Sequence, residues 1–216
     1  MKILSNLFCT LSVLFFFSSC DEILKPGTTL GGSQSPMGEV GVIVTSSSVP
    51  IAGVSGFSAS VTTLTDGVST YSAQATVTNA LLKNMVSDFP GVTVNGNTVT
   101  ITGLKIQQTT EGIKCLTGDG AGIIVKYSSA VGDTYPVGDT GNKRKVVSKS
   151  TDDDYPYGFY NIKTIQVETD ANNLGSTGGI DKITYIANHK YGLVGVKVTF
   201  NDATSVTFPV YTNAQN

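Results

Sequence analysis

A single histidine serves the whole chain. It is His189 in "IANHKYG", at a strand end or turn by its surroundings. A metal centre built on paired imidazoles and a Ser-His-Asp relay with a base to spare are both hard to assemble from it. Asp152, Asp153 and Asp154 in "TDDDYPYG" gather three carboxylates, and hard cations such as calcium favour oxygen ligands. An EF-hand, however, alternates its carboxylates and sets a glycine at the sharp turn. This stretch does neither, so a solvated acidic loop is expected. "TGDGAG" and "GDTG" are glycine-rich, but neither is followed by Gly-Lys-Ser/Thr or by a helix N-terminus, so no phosphate cradle is expected. No catalytic residue, metal site or cofactor is assigned, and a non-enzymatic role is expected.

Two further clusters bear on binding. "GNKRKVVSK" holds Lys143, Arg144, Lys145 and Lys149 in alternation with valine. That pattern suits a solvated strand protecting a sheet edge, and as a sharper alternative a contact for an acidic glycan or lipopolysaccharide. "DDDYPYGFYNI" packs Tyr155, Tyr157, Phe159 and Tyr160 into six positions. In a loop these rings would offer an apolar face with a wet tip. At a period of two, Tyr155, Tyr157 and Phe159 share one strand face as core, which leaves Tyr160 exposed and Tyr157 buried.

The elements that position these residues read as antiparallel β. The 24 glycines, the absence of tryptophan and the alternation of Thr, Ser and Val are the vocabulary of strands and tight turns. "GFSASVTTL" and "STYSAQATVTN" alternate around "TDGV", where Asp66-Gly67 supplies the positive φ angles of a hairpin turn. Asn95-Gly96 in "GVTVNGNTVTITG" and Glu111-Gly112 in "LKIQQTTEGIKCL" repeat the device. Only "NALLKNMVSDFPG" changes period. Leu81, Leu82, Met85, Val86 and Phe89 fall at helical spacing between an Asn79 cap and Pro90-Gly91. A short helix over about 80–89 is expected, lying as a cover over an open sheet edge or mouth. Phe200 to Phe208 forms a last hairpin through "NDAT", with Pro209 tolerated on an edge strand. No fixed-period repeat links the hairpins. The expected fold is all-β, roughly a dozen strands in an antiparallel sandwich or half-barrel built of hairpins, with one short helix. It is either one continuous domain or two β-regions, 39–117 and 118–216, meeting at the glycine-rich 118–122.

The N-terminus has a separate purpose. Lys2, the apolar Leu7 to Phe17 and the small Ser18-Ser19 make a signal peptide over 1–19. At about half the roughly 20 residues a spanning helix needs, the run is too short to stay in a bilayer. It ends in "FSSC", which resembles the lipobox of bacterial lipoproteins of the Bacteroidetes type, with Phe17 where leucine is usual. The resemblance implies that Cys20 is lipidated and becomes the acylated N-terminus. Three acyl chains, at about 0.8 kcal/mol per buried methylene, anchor stably. Asp21 and Glu22 then resemble the export signal of that group, which implies an outer-membrane, cell-surface address; the periplasmic face is the alternative. Residues 20–38, with "KPGTTLGGSQSPMG", are expected to be a flexible tether. Cys115 is left without an intramolecular partner once Cys9 and Cys20 are accounted for, and is expected to be a buried, inert thiol.

A second resemblance covers about 80 residues. Gly132, Asp133, Thr134 and Tyr135, followed later by Gly192, Leu193 and Val194, are similar in order to uncharacterised envelope antiparallel β-domains, with Tyr135 where tryptophan is usual. It implies a half-barrel and no particular activity. The net charge of −2 excludes the basic footprint of a nucleic-acid binder. Two functions stay open. One is a lipid-anchored envelope or surface protein that binds or assembles, with a glycan or a protein as partner. The other is a carrier that shelters an apolar ligand or lipid inside the half-barrel beneath the helix.

Overall fold

The computed structural model describes residues 29–139, 141–170 and 179–216. The signal peptide, Cys20 and the first part of the expected tether lie outside the described residues. No described helix is long and apolar enough to cross a membrane.

In chain order the first sheet contains β1 (Ile43–Thr45), β2 (Val54–Thr65), β3 (Val68–Val77), β4 (Val92–Asn95), β5 (Thr98–Thr109), β6 (Gly112–Cys115) and β7 (Gly122–Lys126), with helix α1 (Ala80–Ser87) between β3 and β4. The second holds β8 (Thr134–Val137), β9 (Asn142–Lys149), β12 (Ile165–Asp170), β13 (Ile180–Asn188), β14 (Gly192–Phe200) and β15 (Ser205–Pro209). Between β9 and β12, β10 (Tyr155–Tyr157) and β11 (Tyr160–Ile162) form a hairpin of their own, and β16 (Tyr211–Thr212) ends the chain's strands. Every ladder is antiparallel. The fold is thus all-β, hairpin upon hairpin, with a single short α-helix among the described residues.

Local chemistry explains the elements. Asp66 and Gly67 both sit at positive φ, 51° and 75°, so the β2–β3 turn matches the right-handed twist of its strands. The next turn is displaced by one residue from the expected Asn95-Gly96. Asn95 closes β4, and Gly96, at φ 60°, leads a Gly96-Asn97 pair. Helix α1 begins where expected, with the Asn79 side chain accepting from the Leu82 amide at 3.2 Å. It stops at Ser87, not Phe89, because the ring of Pro90 disfavours helical geometry in the residue before it.

The two sheets face each other and meet along both flanks. On one, Val210 carries the chain out of β15, donating its amide to Val194 O, and into β16, which pairs with β1 of the first sheet. On the other, β7 and β8 lie side by side, with the Gly138 amide donating to Ala121 O at 2.8 Å. Between them lie two apolar clusters. One joins Ile113, Ile123 and Val125 to Val146, Val167 and Ala187; the other joins Val77, Leu82 and Val99 to Ile180 and Val198. Each cluster draws on residues from both sides of 118–122. That segment is a hairpin connection inside the first sheet, not a boundary between two β-regions.

The tether expectation also needs correction at its C-terminal end. The Ser35 amide donates to Gln108 O at 3.0 Å and the Thr110 amide to Ser33 O at 2.9 Å, extending the ladder beside β5. Ser35 then caps a 3-10 turn, Pro36–Gly38, whose Met37 is 2% exposed. Tyr71 Oη donates to Met37 O and Ser69 Oγ to Gly38 O. Polar composition does not leave this stretch free, since the end of β5 supplies partners for its backbone.

Candidate functional site

A cavity of about 450 Å³ lies between the sheets. From the first sheet Ala73, Ala75, Val77, Val99 and Ile101 line it, and α1 and the residues after it contribute Leu82, Met85, Val86 and Phe89. The second sheet supplies Ile183, Tyr185, Val196 and Val198 opposite. Its origin is readable in β3. The alternation in "STYSAQATV" directs Tyr71, Ala73, Ala75 and Val77 to one face, and two alanines in succession leave room where larger residues would meet the facing sheet.

The size falls within the roughly 300–1,000 Å³ of small-molecule sites, whose walls are mostly apolar with a few placed polar groups. Water finds few partners there. Ser46, Gln74, Arg144 and Tyr185 are the lining residues with oxygen or nitrogen in their side chains, and Ser46 already donates to Pro209 O.

The most unusual wall residue is Arg144, 1% exposed. The expectation of a solvated, edge-protecting strand fails here. β9 lies between β8 and β12, and its alternation sends Arg144 and Val146 inward while Lys143 and Lys145 stay exposed. The Arg144 Nη groups donate to Ile123 O, at 3.1 Å, and to Gly120 O. Its guanidinium carbon lies 5.7 Å from the Tyr185 ring centroid. Its Nε has no hydrogen-bond partner, and no carboxylate lines the cavity among the described residues. Burial pushes the Tyr185 hydroxyl up, with the Arg144 cation opposing. Burial likewise raises the Cys115 thiol, which donates to Thr117 O at 3.4 Å. Cys115 is therefore a buried protonated thiol on the cavity wall, a poor nucleophile.

The aromatic cluster lies elsewhere, on the opposite face of the second sheet. Whereas Tyr185 and Val196 face the cavity, Ile186 and Val194 pack against the β10–β11 hairpin, and Tyr155 Oη lies against Gly195. Tyr157 is 7% exposed and Tyr160 50%. Phe159 does not join the face of Tyr155 and Tyr157; it occupies the turn after Gly158 and is 106% exposed. Two rings unmarked by the sequence complete the patch. Tyr191 and Tyr211 stand 4.9 and 5.3 Å from Tyr157, and Tyr160 Oη donates to Tyr191 Oη at 3.0 Å. Lys190 Nζ lies 5.3 Å from the Tyr191 ring centroid.

The remaining candidates stay apart from both places. His189 is exposed in the β13–β14 turn, and Asp152, Asp153 and Asp154 are exposed in the bend before β10. Among the described residues no group of three or more His, Cys, Asp or Glu could hold a metal ion. Comparison with protein-family models, curated proteins and solved structures returned no match.

Proposed function

We propose that the protein is a lipid-anchored envelope carrier. Cys20 holds it to the outer membrane, with the body at the cell surface, and the two-sheet body shelters an apolar ligand without transforming it. The observation that carries this reading is the apolar cavity of about 450 Å³ walled by both sheets and α1. Burying a ligand methylene there gains about 0.8 kcal/mol, whereas leaving the walls unfilled forfeits their contacts. The test is titration of the purified chain with nile red, a neutral probe that brightens in apolar surroundings. Saturable binding is expected, and Ala75→Phe, which places a ring in the cavity, should weaken it at least tenfold. Binding that is unsaturable or indifferent to Ala75→Phe would remove the carrier reading. The anchor is tested separately. Cys20→Ala, or globomycin treatment, should leave precursor or soluble protein, and a wild-type chain found soluble with an unacylated mature N-terminus would contradict it.

A second reading is favoured by one observation, the complete exposure of Phe159 at a hairpin tip next in sequence to Tyr160, whose ring stands 6.1 Å from that of Tyr191. In it this patch recognises a glycan or a protein at the cell surface, as amphipathic rings do.

A further inference from the structure

Resting on the carrier reading, the chemistry of the cavity narrows the ligand. Its one cationic side chain is Arg144, whose Nε has no partner and which no carboxylate faces across the cavity among the described residues. A guanidinium remains charged at any accessible pH, so it cannot escape the cost of burial by losing its proton. Two backbone carbonyls and the Tyr185 ring attract it but carry no net charge. The other titratable groups that meet it, the Cys115 thiol and the Tyr185 phenol, are both kept protonated by burial. A buried cation left in that state is strongly unfavourable, and an anion relieves it.

We propose that the ligand is a single-chain amphiphile bearing a carboxylate, of the long-chain fatty acid type, whose headgroup pairs with the guanidinium of Arg144 while its hydrocarbon chain fills the space under α1. An Arg–carboxylate contact of this kind is charge-assisted and geometrically specific. The surrounding wall, with Ala75, Val99, Met85 and Val198, suits methylenes, and no second charged side chain lines it among the described residues.

The experiment titrates the full chain, delipidated on an apolar resin, with cis-parinaric acid and with its methyl ester, read by fluorescence. The two share a chain and differ in charge. The acid should bind about tenfold to a hundredfold more tightly, the range for a buried hydrogen bond to a charged group. Arg144→Met should erase that preference while ester affinity stays within about twofold. Equal binding of acid and ester to the wild type, or a preference that survives Arg144→Met, overturns the carboxylate assignment and leaves the carrier reading standing. Failure of both probes to bind the wild type overturns the carrier reading, and this inference falls with it. Should Arg144→Met not fold, Arg144→Gln, which keeps an N–H for the Gly120 or Ile123 carbonyl but no charge, takes its place with the same two results deciding.

Discussion

Ala75→Leu distinguishes a real cavity from loosely packed wall. Ala75 lies on the inward face of β3, paired with Val99 of β5, and its methyl group borders the cavity. Leucine adds three carbons. At about 0.8 kcal/mol per methylene their transfer from water stabilises by at most about 2.4 kcal/mol. Ordering the leucine side chain offsets roughly 0.5–1 kcal/mol of that. A net gain of about 1.5 kcal/mol is expected for the delipidated protein, or about 3–6 °C in Tm for a chain of this size. Differential scanning calorimetry and guanidinium titration at fixed protein concentration measure it. Nile red affinity should fall at the same time, since the side chain takes volume from the ligand. The two effects have opposite signs, and general damage cannot produce that pair. If the sheets already met at this point, the added carbons would overpack them and cost about 1–3 kcal/mol. A Tm lowered by several degrees would therefore refute the reasoning.

Two further predictions concern tyrosines. Tyr157→Ala should cost about 3 kcal/mol, as loss of a buried aromatic does, whereas Tyr160→Ala should stay within about 0.5 kcal/mol; denaturant midpoints of the two variants measured together check this, and the reverse order would show the hairpin register to be wrong. Burial lifts the Tyr71 phenol to about 12, against the pull of the Gln108 side chain. Below pH 10 it is protonated in both states and stability is unaffected by it. From about pH 10 to 12 only the unfolded chain ionises, so stability falls, by about 3 kcal/mol in total. Tyr71→Phe should flatten that part of the decline in urea titrations taken at intervals across the window, and an unchanged slope would contradict the assignment.

The strands, the helix and the Asp66-Gly67 turn were legible because each rests on local rules, whereas the two later turns fall one residue from the Asn95-Gly96 and Glu111-Gly112 pairs, at Gly96-Asn97 and Thr110-Glu111. Asp66-Gly67 demands a tight turn, and Leu82, Met85 and Val86 demand one helical face wherever they are placed. What escaped depended on partners distant in sequence. Arg144 looked like one of four solvated cations, yet its parity with Val146 already put the two on the same face; only the position of β9 inside its sheet settles that this face is the interior. Gly118 to Gly122 resembled a boundary by composition, and becomes a hairpin connection because β7 finds β6. Ser33 to Gly38 resembled free chain, and is ordered by carbonyls and amides at the end of β5. Tyr191 and Tyr211 carry no local mark; the β13–β14 turn and the passage of β15 into β16 bring them to Tyr157. The cavity itself was half legible. Ala73 and Ala75 share a face in any strand, but small side chains leave a space only when the opposite wall fails to advance, as Tyr185 and Val196 do here.

The central claim, a body that holds an apolar ligand between its sheets, is tested most directly by native mass spectrometry of the protein taken from its own host without detergent extraction of the body. The expected result is a protein mass raised by one non-covalent adduct of a carboxylic amphiphile, released on collisional activation and missing from Ala75→Phe. A body that flies without an adduct, and acquires none when incubated with long-chain fatty acids, would contradict the account.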